Sequence, residues 1–301
     1  MTKVNAAVAA ALASAMLASA APAFAAQCNG KSGFNGFVAE FKKEAASQGI
    51  SKRGLAALEG VTLDNGVLAA DRRQGVFKQS FEQFSGRMIS RDRLTKGAKM
   101  MQQHGAALKR IEQKYGVPGA VVVAIWGLET DYGINQGKLS VVRSVATLAY
   151  DCRRSDKFQA ELLDALRIVD RGQMASTDMK GDWAGEIGQT QFLPSSYVKY
   201  AVSYSGRGHP NLIRNPEDVL ASTANYLKNH GWQRGQGWDE GEPNFAVIQE
   251  WNKAEVYAKT IALFADKLAG RTMKTADAEP PVKHSAKEPH NKPLHLKRPR
   301  R

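Results

Sequence analysis

The chain has 301 residues, 43% of them hydrophobic, and its formal net charge is +13 at pH 7. This composition excludes a disordered chain, because it supplies a sizeable core for one large or two modest domains. The positive charge by itself suggests nucleic acid as a partner, but the two ends of the chain favour a different explanation.

The first 25 residues have the pattern of a secretory signal peptide. Lys3 precedes an Ala-rich apolar run, 4 to 21, and Ala23 and Ala25 are the small residues that a cleavage site requires. We therefore expect a periplasmic protein whose mature chain begins at Ala26, and no nucleic-acid partner. An uncleaved membrane anchor is the alternative, although the run is poor in Leu and Ile.

The two cysteines are Cys28 and Cys152. Thiols that reach an oxidising compartment often pair, so we predict a disulfide between the mature N-terminus and the middle of the chain. Such a bridge constrains the unfolded state by about 3 to 5 kcal/mol. Two buried free cysteines are the alternative.

Helical spacing recurs in the first third of the chain, and strand-like alternation is scarce. These features predict a mainly α protein with an N-terminal helical lobe over residues 26–115. Ser51 can cap a second, short helix. The first helix has an apolar stripe formed by Phe34, Phe37, Val38 and Phe41. A later helix that stops at Gly116 is lined by Met100, Ala107, Leu108 and Ile111.

The next predicted helix runs from about Pro118 to Thr130 and is almost entirely apolar. Glu129 lies in its last turn, where the negative pole of the helix dipole and burial both disfavour a carboxylate anion. A carboxyl in such a place is either exposed to water or used in chemistry. Its position predicts a raised pKa.

Three further helices follow. Apolar spacing predicts one across residues 158–169. Asn215 and Pro216 are a strong start signal for another, which ends at His230-Gly231, and the last covers about 253–268. Between them lies the Gly- and Gln-rich segment 185–197, in which Ser195 or Ser196 could cap a helix.

Residues 271–301 contain nine Lys/Arg against three Asp/Glu, with five Pro and hardly any large apolar residue. Such a segment cannot bury enough surface to order itself, so a disordered basic tail is predicted. It is expected either to contact anionic envelope polymers or to serve as a solvated linker.

The motifs together resemble one family. In order and spacing they are similar to the motifs of the membrane-bound lytic transglycosylase B family, glycoside hydrolase family 103. The segments that carry the resemblance are Trp126–Gly133, Gly188–Tyr197 and 200–209, followed by Asn225-Tyr226 and Trp251-Asn252. The similarity covers about Phe34 to Gly270. It implies a soluble periplasmic member of that family with a lysozyme-like core over residues 116–270. We also expect a monomer without a cofactor.

The resemblance also implies an activity. The family cleaves the β-1,4 bond between N-acetylmuramic acid and N-acetylglucosamine in peptidoglycan, without water, and leaves a 1,6-anhydromuramoyl end. Glu129 matches its single catalytic acid/base, and the chemistry agrees, because protonating a glycosidic oxygen near pH 7 needs a carboxyl held protonated by a dry pocket. The substrate's own N-acetyl group and 6-hydroxyl replace the usual second carboxylate.

Six further residues match positions at the family's cleft. Gln191 corresponds to a residue that hydrogen-bonds the sugar N-acetyl region, and Phe192 follows it as a wall. Tyr226, Asn252 and Tyr257 match other cleft positions. Trp251 stands where a Tyr is expected, which keeps a stacking face and loses a hydroxyl. A purely structural role remains open for each.

Besides Trp251, three departures from the family pattern matter. Glu186 replaces a small apolar residue and is expected to face the surface; in the cleft it could act as a base for water and make the protein a muramidase. The segment Ser203–His209 lacks the carboxylates that calcium requires, so no metal is predicted. Only residues 231–250 remain where longer relatives have a β insertion, which is expected to be absent or reduced.

A noncatalytic peptidoglycan-binding protein is the remaining alternative to an enzyme.

Overall fold

The computed structural model describes residues 26–73 and 79–271. The predicted signal peptide, 1–25, and all of the predicted tail but Arg271 lie outside the described residues. Among those described, the structure has thirteen α-helices and one two-stranded sheet, which confirms the mainly α prediction. No described helix combines the length and the apolar character needed to cross a membrane.

In the described part of the chain, seven helices precede strand β1, two lie between β1 and β2, and four follow β2. In chain order the elements are α1 Gly33–Ser47, α2 Lys52–Leu55, α3 Asn65–Arg73, α4 Phe81–Met88, α5 Arg91–Gln103, α6 Gly105–Tyr115, α7 Gly119–Thr130, β1 Leu139–Ser140, α8 Val141–Tyr150, α9 Ser155–Asp170, β2 Lys180–Gly181, α10 Pro194–Tyr200, α11 Pro216–Asn229, α12 Phe245–Trp251 and α13 Glu255–Ala269. The strands are antiparallel, with Leu139 opposite Gly181 and Ser140 opposite Lys180.

Helix α7 lies at the centre of the molecule. It packs against α13, α5, α6 and α11, and all of its residues are buried except Glu129. Gly119 permits the close approach of α6, because a Cβ there would stand 3.1 Å from the Leu108 Cβ. One hydrophobic cluster runs through both halves of the chain. The division into a 26–115 lobe and a 116–270 core therefore stays a prediction.

Several predicted helix ends agree with the structure. The Ser51 hydroxyl accepts a hydrogen bond from Arg53 N, and the Asn215 side chain accepts from the backbone N–H groups of Glu217 and Asp218. The helix expected to stop at Gly116 does so in a left-handed conformation, with φ 79°. These short polar side chains and the glycine satisfy backbone groups that a helix end leaves free.

Two local predictions were wrong. Met100 and Ala107 belong to two helices, α5 and α6, which are separated at His104 because its ring packs on Trp126 and its Nδ1 lies 3.3 Å from a Glu217 carboxyl oxygen. Neither Ser195 nor Ser196 caps α10. Instead, the Ser195 N–H and hydroxyl both donate to the carboxyl group of Glu161 on α9, at 2.9 and 2.8 Å.

The predicted disulfide is present. Cys28 and Cys152 are bonded across a sequence separation of 124 residues, with their Cα atoms 5.1 Å apart. The bridge holds the start of the described chain against the turn between α8 and α9, and Asn29 N donates to the Tyr150 carbonyl nearby. Residues 231–244 form turns rather than strands, and α12 follows, so the β insertion is reduced to a loop as expected.

Candidate active site

Glu129 lies in the last turn of α7, immediately before the chain reverses. Asp131 and Tyr132 both adopt left-handed backbone conformations, with φ 51° and 63°. The Asp131 carboxylate is fixed by Lys96 at 2.7 Å and Arg93 at 3.4 Å. Gly127 leaves room for the returning Tyr132 ring, which a Cβ would approach to 2.7 Å. The end of the helix is therefore held rigidly, and with it the Glu129 side chain.

Two donors from the last third of the chain reach the same oxygen of Glu129. Trp251 Nε1 donates to Oε1 at 2.8 Å, and the Tyr257 hydroxyl donates to it at 2.9 Å. These bonds join α7 to α12 and α13. Because Oε1 already accepts two hydrogen bonds, Oε2 is the oxygen available to carry a proton.

Burial raises the pKa of Glu129 from 4.5 to about 7. The hydrogen bonds from Trp251 and Tyr257 favour the anion and act in the opposite direction, whereas the charge of nearby Asp182 raises the pKa further. Desolvation is the largest of these effects. A large fraction of the molecules thus holds a protonated Glu129 at neutral pH, which is the condition for a general acid.

Gln189 joins the end of α7 to the Gly- and Gln-rich segment. Its Oε1 accepts from Trp126 Nε1 at 2.9 Å, its Nε2 donates to the Ile213 carbonyl at 3.0 Å, and its own carbonyl accepts from the Thr130 hydroxyl. Gly188, at φ 74°, allows the close backbone contact with Leu212, whose oxygen would lie 2.4 Å from a Cβ. The Gln189 side chain is therefore committed to structure and is not free for a ligand.

Gln191 occupies a left-handed conformation with φ 55°, unusual for a residue other than glycine. Its Nε2 donates to the carbonyls of Gly188 at 2.7 Å and Gln136 at 3.3 Å. Both amide hydrogens are used in this way, so the side chain offers its Oε1 to the cavity as an acceptor.

A cavity of about 220 Å³ opens beside Glu129. Five of the six predicted cleft residues line it, namely Gln191, Phe192, Tyr226, Trp251 and Asn252, together with Glu186, Thr190, Leu193, Ser196 and Glu250. Tyr257, the sixth, is buried behind the cavity and contacts Glu129 directly. The structure therefore brings together the residues that the sequence singled out.

One wall of the cavity is aromatic. The Tyr226 and Trp251 rings meet edge to face with centroids 5.0 Å apart, and Phe192 packs against both. Tyr226 is held in place by a stacked His230 ring at 3.9 Å and by its hydroxyl, which donates to the Glu250 carbonyl. Phe192 is 2% exposed and supports the wall from behind. Flat apolar faces beside polar groups suit a sugar ring.

The expectation for Glu186 was wrong. Instead of facing the surface, its side chain lines the same cavity as Glu129. Two antiparallel bridges, from Ile187 to Gly181 and to Phe192, fix the segment, and the Glu186 N–H points to an Asp182 carboxyl oxygen at 3.4 Å. Sequence reasoning missed this because a loop in which glycines set the backbone direction has no periodicity to say which way a side chain points.

The carboxyls of Glu186 and Asp182 both have raised pKa values. Desolvation is the main cause for each, and the pKa of Glu186 rises well above its usual value because the charges of Asp182 and Glu129 add to burial. Sequence reasoning did not identify Asp182 at all. The Asp182 side chain accepts a hydrogen bond from Ala184 N at 2.9 Å, two residues further on. In a sequence, an Asp in such a segment indicates only a turn.

A second, larger cavity of about 490 Å³ lies across the Gln191–Gln136 hydrogen bond. It is lined by residues 133–138, Lys180 and Ile213 and contains no carboxyl group. Within residues 26–73 and 79–271, no group of three or more His, Cys, Asp or Glu side chains is arranged to hold a metal ion.

Comparison with known proteins shows the family of the chain. Residues 33–241 match the family described as Transglycosylase SLT domain. The chain is also similar to the membrane-bound lytic murein transglycosylase B of Escherichia coli strain K12, with 41% identity over 150 residues. That alignment covers 50% of this chain and 41% of the relative, so the chain matches less than half of the curated relative's length.

Solved structures give the same picture over more of the chain. SltB3 from Pseudomonas aeruginosa, in complex with NAG-anhNAM-pentapeptide, superposes with a TM-score of 0.75 at 31% identity, covering 79% of this chain and 80% of that one. The soluble lytic transglycosylase SltB1 of the same organism gives 0.71 at 28% identity, with 77% and 98% covered. The Escherichia coli lytic transglycosylase Slt35, in complex with bulgecin A, gives 0.69 at 26% identity, with 77% and 92% covered.

Proposed function

Because the chain belongs to the Transglycosylase SLT domain family, we propose that it is a lytic transglycosylase that cleaves the glycan strands of peptidoglycan. The observation that carries the proposal is the state of Glu129: its pKa is about 7, its Oε2 makes no hydrogen bond with the residues that the structure describes, and it lies beside a cavity with one aromatic wall. The SltB3 complexes with NAG-NAM-pentapeptide and NAG-anhNAM-pentapeptide support the choice of substrate.

In the first step, Glu129 acts as an acid. Its Oε2 gives a proton to the glycosidic oxygen, and the bond between that oxygen and C1 of the muramic sugar breaks. The carbonyl oxygen of the sugar's own acetamido group attacks C1 and forms a cyclic oxazolinium ion. The remaining Glu129 anion is stabilised by the two hydrogen bonds at Oε1, from Trp251 and Tyr257. Such an acid supplies about 10² to 10⁴ in rate.

In the second step, Glu129 acts as a base. It removes the proton of the 6-hydroxyl, whose oxygen then attacks C1, displaces the acetamido oxygen and closes a 1,6-anhydro ring. Glu129 is protonated again, and no water is consumed. A single carboxyl is therefore enough, because the substrate supplies both nucleophiles.

Gln191 fits the role of holding the reacting acetamido group. Its Oε1 is an acceptor, so it would receive the acetamido N–H. That bond leaves the carbonyl oxygen free to attack C1. Tyr226, Trp251, Phe192 and Asn252 would bind the sugar rings along the cavity, and Tyr257 would act through Glu129.

Hydrolysis is the second candidate reaction, and the position of Glu186 is what favours it, because a second carboxyl in the cavity could activate water. A general base must be ionised. Desolvation and the charges of the neighbouring carboxyls raise the pKa of Glu186 well above its usual value, which favours the neutral acid over the ionised base that activation of water requires. We therefore favour the anhydro product over a reducing end.

The test is a product analysis with purified sacculi. We expect the wild-type protein to release muropeptides whose mass is one water lower than that of reducing ends. Glu129→Gln should lower release by at least about 10² because the amide has no acidic proton. Glu112→Gln, an exposed position on α6, is the matched control and should leave release unchanged.

Each outcome selects among the candidate functions. Reducing ends from the wild-type protein would establish a muramidase. Binding to sacculi without any release would establish a noncatalytic binding protein, and undiminished release by Glu129→Gln would overturn the assignment of the acid.

For the place of action we propose the periplasm, where this substrate lies. That proposal is tested by the mass of the N-terminal peptide of the exported protein, expected to start at Ala26.

A further inference from the structure

Glu186 is a carboxyl that the proposed mechanism does not use. It lines the cavity beside Glu129, and no hydrogen bond or ion pair from the described residues reaches its side chain. A carboxyl that lines a cavity and makes no hydrogen bond or ion pair with the described part of the chain is free to hydrogen-bond a ligand there.

The charges around Glu186 decide its protonation state. Asp182, Glu129 and Glu161 oppose ionisation, and among the described residues Lys157 is the cation that favours it. Burial is the largest effect and also favours the neutral acid. These effects raise the pKa of Glu186 well above its usual value and favour the neutral acid, whose hydroxyl is a donor, whereas Gln191 presents an acceptor to the same cavity.

We propose that Glu186 binds substrate as a neutral hydrogen-bond donor, and that its acceptor is the acetamido carbonyl of the sugar next to the reacting one. This inference rests on the proposed function. An amide carbonyl is a stronger acceptor than the hydroxyl and ether oxygens of a glycan. The reacting acetamido group is a poor choice, because a hydrogen bond donated to its carbonyl oxygen would draw electron density from that oxygen and weaken its attack on C1.

A specificity follows from this contact. Glu186 makes the site selective for N-acetylated glycan, because a de-N-acetylated sugar offers an ammonium group in place of the carbonyl acceptor. A neutral acid lacks the negative charge that would attract that ammonium group, and its hydroxyl finds no acceptor there. An ionised carboxylate at the same place would have the opposite preference and would attract the amino sugar.

The experiment measures binding in the inactive Glu129→Gln protein by titration calorimetry at pH 7. The probes are the tetramer of β-1,4-linked N-acetylglucosamine and the corresponding glucosamine tetramer. Adding Glu186→Ala should weaken binding of the acetylated tetramer about fivefold to tenfold, the value of one hydrogen bond. Adding Glu186→Gln, whose amide still donates, should keep the Kd within about twofold. Glu59→Ala, an exposed acid outside the cavity, is the matched control.

Four outcomes would overturn the inference. Two concern the variants at residue 186: unchanged affinity for the acetylated tetramer in Glu186→Ala, or a loss of affinity in Glu186→Gln as large as in Glu186→Ala. The others are a loss of affinity in Glu59→Ala as large as in Glu186→Ala, and tighter binding of the glucosamine tetramer by the parental protein that both Glu186 variants abolish. If Glu186→Ala does not fold, Glu186→Leu, which keeps the volume and lacks a donor, replaces it. Failure of the parental protein to bind the acetylated tetramer would count against the proposed function as well. Normal binding with no effect at residue 186 would sink this inference alone.

Discussion

At the scale of single residues, the site balances two opposing effects on one carboxyl. Burial holds the proton on Glu129, whereas Trp251 and Tyr257 stabilise the anion that remains once the proton has left. If burial acted alone, the acid would be too weak to give up its proton; if the donors acted alone, it would already be ionised at pH 7. The pKa of about 7 is the result of both.

Removal of one donor should therefore move the pH profile. In Tyr257→Phe the Glu129 anion loses a hydrogen bond, so its pKa should rise and the alkaline limb of the pH–rate profile should move from about pH 7 to a higher pH. The rate below pH 6 should fall about threefold to tenfold, because the anion formed in the first step is less stable. The measurement is the rate of muropeptide release between pH 5 and 9.

Tyr150→Phe is the matched control for that experiment. The Tyr150 ring packs against Phe34 at 5.5 Å and is absent from the cavity lining, so the pH profile of this variant should coincide with that of the wild-type protein. An alkaline limb in Tyr257→Phe that stays in place, or moves to lower pH, would show that the hydroxyl does not stabilise the Glu129 anion.

The sequence identified Glu129 because a charge at the end of an apolar helix conflicts with burial. It also placed Gln191, Trp251 and Tyr226 in the cleft, through the resemblance of their motifs. It could not give the directions of side chains in the segment 182–192, because loop geometry there depends on positive φ values and on contacts with residues distant in sequence. That is why Glu186 was misplaced and the charge of Asp182 was not foreseen.

At the scale of helices and loops, distant segments hold the site together. Glu129 comes from α7, its two donors from α12 and α13, and Gln191 from the loop before α10. The helices themselves were predictable, because apolar spacing and polar caps act within a few residues. The break at His104 and the attachment of Ser195 to Glu161 were not, since both depend on partners more than thirty residues away.

The disulfide is the longest covalent constraint on these elements. It closes a separation of 124 residues between the start of α1 and the turn that precedes α9. Replacing both cysteines with serine, Cys28→Ser with Cys152→Ser, should lower the free energy of unfolding by about 3 to 5 kcal/mol, because the unfolded chain regains its freedom. Urea denaturation of the mature protein measures this change.

Loss of the disulfide should have little effect on activity. The cysteines are absent from the cavity lining, so muropeptide release at 25 °C should stay within about twofold of the wild-type rate. Wild-type protein treated with reductant should resemble the double variant in stability. A loss below 1 kcal/mol would mean that the packing of α1 against α8 already restrains the N-terminus without the bond.

At the scale of the whole molecule, buried acids make stability depend on pH in two directions. One group has pKa values raised mainly by burial and consists of Glu129, Glu161, Asp182, Glu186 and Asp266. These acids bind protons more tightly in the folded than in the unfolded state, so they weaken folding as the pH rises from about 4.5 through their folded pKa values.

Asp71 and Asp131 act in the opposite sense. Their pKa values are lowered despite burial by hydrogen bonds and charges from neighbouring cations, Arg153 and Arg154 for the first and Lys96 and Arg93 for the second. Their stabilising contribution is present above pH 3.8 and is lost as the pH falls through their folded pKa values. The two groups together predict greatest stability in mildly acidic solution.

The loss of stability that buried acids cause as the pH rises can be measured separately at Glu129. Its pKa of about 7 exceeds the unfolded value of 4.5, so ionising it costs up to about 3 kcal/mol of stability at pH 8 and nothing below pH 4.5. Glu129→Gln removes that cost and keeps the acceptor for Trp251 and Tyr257. We expect the variant to be more stable than the wild-type protein by about 3 kcal/mol at pH 8 and equal to it at pH 4.5, measured by urea denaturation with Glu112→Gln as the control. Equal stability at both pH values would mean that Glu129 is ionised and hydrated in the free protein, and its role as the proton donor would then have to be given up.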